Sequence, residues 1–332
     1  MMSSQLVSIP TARTINYLRV SITDRCNLRC CYCMPEGGVP VMPHDEILSY
    51  EEMLRLIGVF VQGGIRKVRI TGGEPLVRKD SVDLLGRLHQ MPGLEEVTLT
   101  TNGVLLKEFA AQLKKSGVSR LNISLDSLKP ERFARITRRD RFEDVVAGIH
   151  LAESLGFDPI KINVVMMRGV NDDEIGDFFR LAKERPYQIR FIEYMPVGAA
   201  NSWDPAQFVS SKEIYETISQ FGRLEPLEAG MLDGPARCYR VVEGAGQIGL
   251  ISALSDHFCE RCNRLRLTAD GQLRTCLFSD AEVSLKAPLR QGGSDEELLD
   301  LIRLAIKNKP KGHGLQRVRP EACLRQMSRI GG

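Results

Sequence analysis

Residues 18–35, LRVSITDRCNLRCCYCMP, join a short alternating apolar run to a group of closely spaced cysteines. Three of the thiols follow a C-x3-C-x2-C spacing: Cys26, Cys30 and Cys33. Thiolates on one short loop are good ligands for a soft metal centre. A cubane cluster has four irons, so three cysteines leave one iron with the open position that separates a catalytic site from a structural one. The spacing favours an iron–sulfur cluster; the alternative is a zinc site completed by Cys31 or His44.

The bulk properties are those of an ordinary globular chain. Its 332 residues suffice for one large domain and a smaller one, and 43% of them are apolar. The net charge of +3 is too small to indicate nucleic-acid binding. No apolar run approaches the roughly 18 residues that a membrane span needs. Nine cysteines without a signal peptide indicate a reducing compartment, so we expect a cytoplasmic protein that binds neither nucleic acid nor membrane.

Six short β-branched runs alternate with amphipathic helical patterns along most of the chain. The runs cover 18–23, 67–71, 96–101, 120–126, 160–167 and 188–195. The helical patterns cover 51–62, 81–90, 105–115, 142–155, 172–184 and 211–221. This alternation predicts a parallel sheet or barrel. Because there are six units rather than eight, we expect an α/β fold with an incomplete (βα)6 TIM-like barrel, open on one side.

The predicted strands are apolar on one alternate set of positions and polar on the other. Neither a parallel sheet covered on both faces nor a filled barrel interior has this pattern. Five cations fall on the polar set: Arg19, Lys67, Arg69, Lys161 and Arg190. Cations that face one cavity repel one another unless an anion lies among them. We therefore predict a polyanion site inside the barrel; the alternative is the exposed face of an antiparallel sheet.

The alternation ends near residue 229, where a second domain, 230–332, is expected to close the open side of the barrel domain, 1–229. An antiparallel pair is predicted at 237–242 and 247–252, and a hairpin turn at Asp270-Gly271. A helix is predicted at 296–307, and the last residues, 327–332, are predicted to be a tail.

A second cysteine motif lies in this C-terminal part. Its three thiols are Cys259, Cys262 and Cys276. Spacing alone fits a second cluster and a zinc ribbon equally well, and Cys238, Cys323 or His257 are the possible fourth zinc ligands. Arg264 and Arg266 on the following strand form a second cationic patch, suited to an anionic or hydrogen-bonding ligand.

Residues 71–75, TGGEP, follow the second predicted strand and open a helix. The two glycines allow close approach to the backbone, and Glu74 can accept a hydrogen bond from an ammonium group. By itself the motif is weak, because Gly-Gly after a strand is often only a turn.

Together these motifs resemble a known family. The first cysteine motif, with Tyr32 before its last cysteine, resembles the radical S-adenosylmethionine (SAM) superfamily. The segment 259–278, CERCNRLRLTADGQLRTCLF, resembles the second cluster motif of the GTP 3′,8-cyclase family of molybdenum cofactor biosynthesis. The terminal Gly331-Gly332 is similar to that family's double-glycine tail. Similarity extends from about Arg13 onward; Cys31 is the one departure.

The resemblance implies two [4Fe-4S] clusters with one open iron each. The first, on Cys26, Cys30 and Cys33, would bind SAM, and the second, on Cys259, Cys262 and Cys276, would bind GTP. Implied SAM contacts are Tyr32, Gly73, Glu74, Ser124 and Met195. Implied GTP contacts are Arg19, Lys67, Arg69, Thr100, Lys161, Arg190, Arg264, Leu265 and Arg266.

The implied activity is conversion of GTP to (8S)-3′,8-cyclo-7,8-dihydroguanosine 5′-triphosphate. A 5′-deoxyadenosyl radical derived from SAM would take hydrogen from C3′ of GTP, and C3′ would then bond to C8 of guanine. Implied partners are GTP, SAM, a reductase such as flavodoxin, and a downstream cyclic pyranopterin monophosphate synthase, with the enzyme a monomer or homodimer. The alternatives are another radical SAM enzyme with an auxiliary cluster, such as a peptide-modifying one, or a structural zinc protein.

Overall fold

The computed structural model describes residues 13–198, 203–312 and 323–331. Six parallel strands pair with one another in chain order, as the sequence predicts. They are β1 (Tyr17–Ser21), β2 (Lys67–Thr71), β3 (Glu96–Thr101), β4 (Leu121–Ser124), β5 (Ile160–Met166) and β6 (Tyr187–Glu193). The helices that follow them are α1 (Tyr50–Gln62), α2 (Ser81–His89), α3 (Leu106–Lys115), α4 (Pro130–Thr137), α5 (Phe142–Ser154), α6 (Ile175–Glu184) and α7 (Ser211–Ile218).

Helix α4 was not predicted. It has only eight residues, and just two of its buried positions, Phe133 and Ile136, are apolar, so its apolar face is short. Pro130 at its first turn suits a helix start, but a proline also reads as a loop signal.

The two faces of the strands differ as predicted. The alternate apolar set is buried against the helices. Leu18 and Val20 of β1 and Ile22 just after it are fully inaccessible to solvent, and so are Val68 and Ile70 of β2. This set forms the main hydrophobic core. Cationic side chains of the other set are also shielded from bulk water: Lys67, Arg69, Lys161 and Arg190 are each less than a tenth exposed. Four buried cations therefore lie on one side of the sheet, where they repel one another as the sequence indicated.

The C-terminal strands extend the same sheet at both edges. Strands β9 (Gln247–Ile251), β8 (Arg237–Val241) and β7 (Leu224–Pro226) follow β6, with β9 parallel to β6. Strands β10 (Arg264–Leu267), β11 (Gln272–Arg274) and β12 (Val283–Ser284) follow β1, with β10 parallel to β1. Within the described residues this gives one sheet of 12 strands whose edge strands are β12 and β7, so the barrel is incomplete.

The segment from Ser252 to Asn263 connects β9, which pairs with β6, to β10, which pairs with β1, and it carries Cys259 and Cys262. It therefore crosses the open side of the barrel, which the C-terminal part closes. The predicted antiparallel pair (β8 and β9) and the predicted hairpin (β10 and β11) are both confirmed. Gly271 in the hairpin turn has a φ of 77°, a conformation that suits glycine.

Three more helices complete the described chain: α8 (Lys286–Arg290), α9 (Asp295–Lys307) and α10 (Met327–Ile330). Helix α9 confirms the prediction for this region and packs against α1, where Arg55 pairs with Asp295 at 2.9 Å. The predicted tail is wrong for Met327–Ile330, which form α10; Gly332 lies outside the described residues. Across the part of the chain that the structure describes, every helix is too short or too polar to cross a bilayer.

Candidate active site

The cysteines of both motifs line a single cavity inside the barrel: Cys26, Cys30, Cys33, Cys259, Cys262 and Cys276. The first three follow β1. Cys259 and Cys262 lie in the segment that closes the barrel, and Cys276 lies two residues after β11. Within the described residues, no three Cys, His, Asp or Glu side chains converge closely enough to hold one metal ion. The donor set fits cubane clusters, because each cysteine of such a cluster binds a different iron.

Helix α4 holds the first cysteine loop in place. Its C-terminal carbonyls, on Ile136 and Thr137, accept hydrogen bonds from Cys31 N and Arg29 N, both at 2.9 Å. The Arg138 guanidinium, just after α4, donates to the carbonyls of Arg29 and Met34. These hydrogen bonds give the loop a defined backbone conformation.

Side chains of neighbouring strands fix the loop further. The Tyr32 hydroxyl donates to Asp126 Oδ2 at 2.7 Å, and Asp126 Oδ1 accepts from Val165 N. Asn102 Nδ2 lies 3.8 Å from Cys26 Sγ. Cys31 packs with the small group formed by Ile136, Met167 and Tyr194. Cys26, Cys30 and Cys33 line the cavity, whereas Cys31 is not among its lining residues.

The two cysteine sites have opposite electrostatics. Burial, and to a smaller degree Glu74, raises the pKa of Cys26 to about 11, and burial with the neighbouring Cys26 raises the pKa of Cys33 to about 12. At the second site burial also raises the pKa of Cys262, but the charges of Arg264 and Lys309 outweigh it and lower that pKa to about 6. Metal binding at the first site must therefore displace protons, whereas Cys262 is already largely a thiolate at neutral pH.

The cations that were predicted as two patches form one row. Arg266 of β10, Arg19 of β1 and Arg69 of β2 are direct neighbours in the parallel register. Burial and repulsion from Arg266 lower the pKa of Arg19 well below its usual value. Burial and repulsion from Arg190 lower the pKa of Lys161 to about 7. Cations held so close together are suited to binding a polyanion.

Most of the predicted site residues line this cavity. Besides the cysteines they are Arg19, Tyr32, Arg69, Gly73, Glu74, Thr100, Ser124, Arg190, Met195, Arg264 and Arg266. Thr100 Oγ1 is buried, and no hydrogen bond to it is found among the described residues. A buried hydroxyl of this kind is normally satisfied, so it provides a free hydrogen-bonding group for a ligand.

Three predicted residues are placed differently. Lys67 forms an ion pair with Glu96 at 3.0 Å and donates to the Leu232 carbonyl at 2.8 Å. Leu265 is fully buried in the hydrophobic core beside Leu18, and it is not among the residues that line the cavity. Lys161 is buried near Arg69 and Arg190, whose charges it experiences.

Glu74 is held by three donors of its own chain. Its carboxylate accepts from Leu76 N at 3.1 Å, Thr101 Oγ1 at 2.8 Å and Asn102 N at 2.6 Å. Burial raises its pKa to about 7 in spite of these hydrogen bonds. The side chain braces the turn after β2 against the end of β3, and a carboxylate retains lone pairs for a further donor.

The alternative zinc ligands have other neighbours. His44 is exposed and lies 3.1 Å from Arg25 Nη2. Cys238 contacts Gln188 Nε2 at 3.2 Å, and Cys323 contacts the Leu277 carbonyl at 3.3 Å. His257 does line the cavity beside the second motif.

Two protein-family models match the chain: the radical SAM superfamily over residues 20–182 and molybdenum cofactor synthesis C over residues 187–315. The GTP 3′,8-cyclase of Desulforamulus reducens is 50% identical, over 96% of this chain and 98% of its own length. The GTP 3′,8-cyclase of Moorella thermoacetica has the same identity and the same shares. The chain belongs to the GTP 3′,8-cyclase family.

Solved structures show the same fold. SuiB of Streptococcus suis bound to S-adenosylmethionine superposes with a TM-score of 0.60, covering 96% of this chain and 78% of SuiB. The sequence identity is 16%, so this likeness shows that the two proteins share a fold and says nothing about a shared reaction.

Several residues of the site were missed by the sequence reasoning. Asn102 directly follows β3 and Asp126 lies two residues after β4, at strand ends where polar residues in barrel enzymes face the site. Lys309 and Arg13 contact the second cysteine segment from opposite ends of the chain. No local pattern in the sequence indicates that the two residues meet there.

Proposed function

We propose that the protein converts GTP to (8S)-3′,8-cyclo-7,8-dihydroguanosine 5′-triphosphate, the first step of molybdenum cofactor biosynthesis. The observation that carries the proposal is the cavity in which both cysteine motifs and the row of arginines face one another. Its walls suit a ligand with a polyanionic end and a second end at the C-terminal thiols. Membership of the GTP 3′,8-cyclase family supports the same substrate.

The protein uses SAM and [4Fe-4S] clusters, as members of the radical SAM superfamily do. When bound, they supply a 5′-deoxyadenosyl radical as the hydrogen-abstracting group. We assign the first cluster and SAM to Cys26, Cys30 and Cys33, and the second cluster to Cys259, Cys262 and Cys276. Tyr32, Gly73, Glu74, Ser124 and Met195 are assigned to SAM.

The cations of the cavity are assigned to the substrate. Arg19, Arg69 and Arg190 would bind the triphosphate, with Lys67 and Lys161 behind them, because guanidinium groups match phosphate oxygens in geometry and charge. Arg264, the backbone of Leu265, and Arg266 would hold GTP near the second cluster, and Thr100 Oγ1 would donate to it. The surrounding protein would exclude water, which keeps a reactive carbon-centred radical from side reactions.

The wider assignments follow from the same function. We propose a barrel domain over residues 1–229 and a C-terminal domain over residues 230–332, the latter with the double-glycine end. A reductase such as flavodoxin would deliver electrons, and a cyclic pyranopterin monophosphate synthase would consume the product. The enzyme would work in the cytoplasm as a monomer or homodimer.

Product analysis tests the proposal. Protein purified and reconstituted without oxygen is incubated with GTP, SAM and dithionite, and the nucleotide products are separated by chromatography and identified by mass and by their conversion to fluorescent pterins. We expect a cyclic product with the mass of GTP, formed together with 5′-deoxyadenosine and methionine. ATP in place of GTP is the matched control, because it offers the same triphosphate. Formation of 5′-deoxyadenosine with no cyclised GTP would point to another radical SAM reaction.

A further inference from the structure

Lys309 lies between the two halves of the second cysteine motif. Its side chain is 7% exposed, and its ammonium group donates to the carbonyl of Arg264 at 2.9 Å and to the carbonyl of Thr275. Arg264 comes two residues after Cys262, and Thr275 immediately precedes Cys276. One side chain therefore ties together the two segments that carry these thiols.

Lys309 also lies beside Cys262, and the two groups act on each other: burial lowers the pKa of the lysine while Cys262 raises it, and Lys309 lowers the pKa of the thiol. An ammonium group has three N–H donors, so one remains for a sulfur after the two carbonyls. The geometry places the cation of Lys309 against the sulfur ligands of the second motif.

The first cysteine motif has a different charged environment. Glu74 acts on Cys26, and Asp126 acts on Cys30; both carboxyl groups are buried. The nearby cations, Arg29 and Arg138, donate to backbone carbonyls of the loop. No lysine of the described residues donates to these three sulfurs or to the carbonyls of their loop.

We propose that Lys309 raises the reduction potential of the second cluster, and that the second cluster is for this reason easier to reduce than the first. Reduction by one electron adds one negative charge to a cluster and its thiolates, and a fixed cation beside the sulfurs stabilises that charge. The inference rests on the proposed second cluster, but not on the identity of the substrate. Lys309 is a positioning and tuning residue, since it acts through the cluster ligands.

The test is a redox titration of the reconstituted protein with dithionite, followed by electron paramagnetic resonance. Addition of SAM changes the signal of the first cluster and so separates the two. In Lys309→Met we expect the equilibrium constant for reduction of the second cluster to fall about tenfold, which corresponds to about 59 mV for one electron. The first cluster should titrate as in the wild type. Lys309→Arg, which keeps the charge, should stay close to the wild type.

Lys311→Met is the matched control, because it removes the same charge from an exposed position two residues away. A Lys309→Met protein with full iron content and an unshifted second cluster would overturn the proposal, and so would an equal shift in Lys311→Met. If Lys309→Met loses the second cluster, Lys309→Gln keeps two donors without the charge and carries the measurement. Loss of that cluster in Lys309→Gln as well would make the lysine structural and contradict the tuning role. Iron content separates these results from a failure of the proposed function. If the wild type binds only about four irons, the second cluster is absent and the proposed function fails, whatever the role of Lys309.

Discussion

Arg266 of β10 lies directly beside Arg19 of β1 in a parallel ladder. The C-terminal part of the chain thus adds its own arginine to the row of cations that begins inside the barrel. The Arg266 guanidinium also donates to the carbonyl of Gly331, next to the C-terminus. Because the cysteines of the second motif flank β10 and β11, this pairing is what brings the cationic row and the second thiol set into one cavity.

Removal of a cation from this crowded set should weaken ligand binding without harming the ligand-free fold. Burial and repulsion from Arg69 lower the pKa of Arg190 to about 10, so its charge is disfavoured in the folded protein. In Arg190→Met we expect GTP affinity to fall at least tenfold, since a charged hydrogen bond contributes about 1.5–3 kcal/mol. The melting temperature of the ligand-free protein should be equal or higher.

Calorimetry and thermal unfolding measure the two effects. Arg240→Met, at an exposed strand position that pairs with Glu225, is the control and should leave affinity unchanged. A variant at Arg190 that binds GTP as well as the wild type would contradict the role of the cationic row.

GTP binding should take up a proton through Lys161. The pKa of this lysine is lowered from 10.5 to about 7, so at pH 8.5 it is mostly neutral in the ligand-free fold. Between pH 7 and 10.5 the unfolded chain binds more protons than the folded one. The buried lysine therefore lowers the free energy of unfolding most below pH 7, and this destabilisation fades as the pH rises to 10.5. Phosphate oxygens favour the charged form and raise the pKa again.

Calorimetry at pH 8.5 in two buffers of different ionisation enthalpy measures the proton uptake. We expect up to about one proton per GTP in the wild type. In Lys161→Arg the side chain is always charged, so binding should persist with much less uptake. Equal uptake in both proteins would assign the proton to another group.

Gly73 should tolerate no side chain. A Cβ at this position would lie 2.4 Å from the Arg25 carbonyl oxygen and 2.8 Å from that of Asp24, in the backbone that leads into Cys26. Gly73→Ala must therefore shift the cysteine loop, and we expect the first cluster to be lost or to fall below half occupancy while the second stays. Iron analysis with electron paramagnetic resonance measures this.

Gly58 offers the matched control for that substitution. It lies within α1 with nothing inside 4 Å of its Cβ position, so Gly58→Ala should raise the free energy of unfolding by about 0.5–1 kcal/mol. A Gly73→Ala protein with full iron content would show that the loop yields more easily than the backbone contacts indicate.

Cys276→Ala should separate the two halves of the reaction. The variant should keep SAM cleavage, because Cys26, Cys30 and Cys33 are intact, but should lose the cyclic product together with about four irons. Cys238→Ala is the control: this thiol contacts Gln188 and the carbonyl of Ala236, so iron content and product should be retained. An unchanged yield of cyclic product in Cys276→Ala would count against the role of the second motif.

The elements of the barrel were predictable because each strand shows its two faces in the sequence. Alternation placed Leu18 and Val20 in the core and Arg19 opposite them, and β2 and β3 have the predicted bounds. The cysteine spacing likewise indicated two groups of thiols, which line one cavity, although for the second group it left a zinc ribbon equally open. These features are local, and local patterns survive folding when one face of a strand is buried.

What the sequence did not reveal depends on contacts between distant segments. Nothing in the local pattern indicates that β10 pairs with β1, that Lys309 reaches Cys262, or that α4 holds the first cysteine loop. Lys67 is instructive: its position predicted a phosphate ligand, but Glu96 on the next strand pairs with it. Which partner a buried charge finds is decided by strand register, and register is set by the whole sheet.

Transfer of deuterium from GTP tests the central claim most directly. Both cysteine motifs and the row of cations face one cavity, so the hydrogen at C3′ of bound GTP should reach the 5′-deoxyadenosyl radical without exchange with water. With GTP deuterated at C3′, we predict that mass spectrometry finds about one deuterium in each 5′-deoxyadenosine formed by the wild type, in step with the cyclic product. Unlabelled 5′-deoxyadenosine formed alongside unreacted GTP would contradict the account.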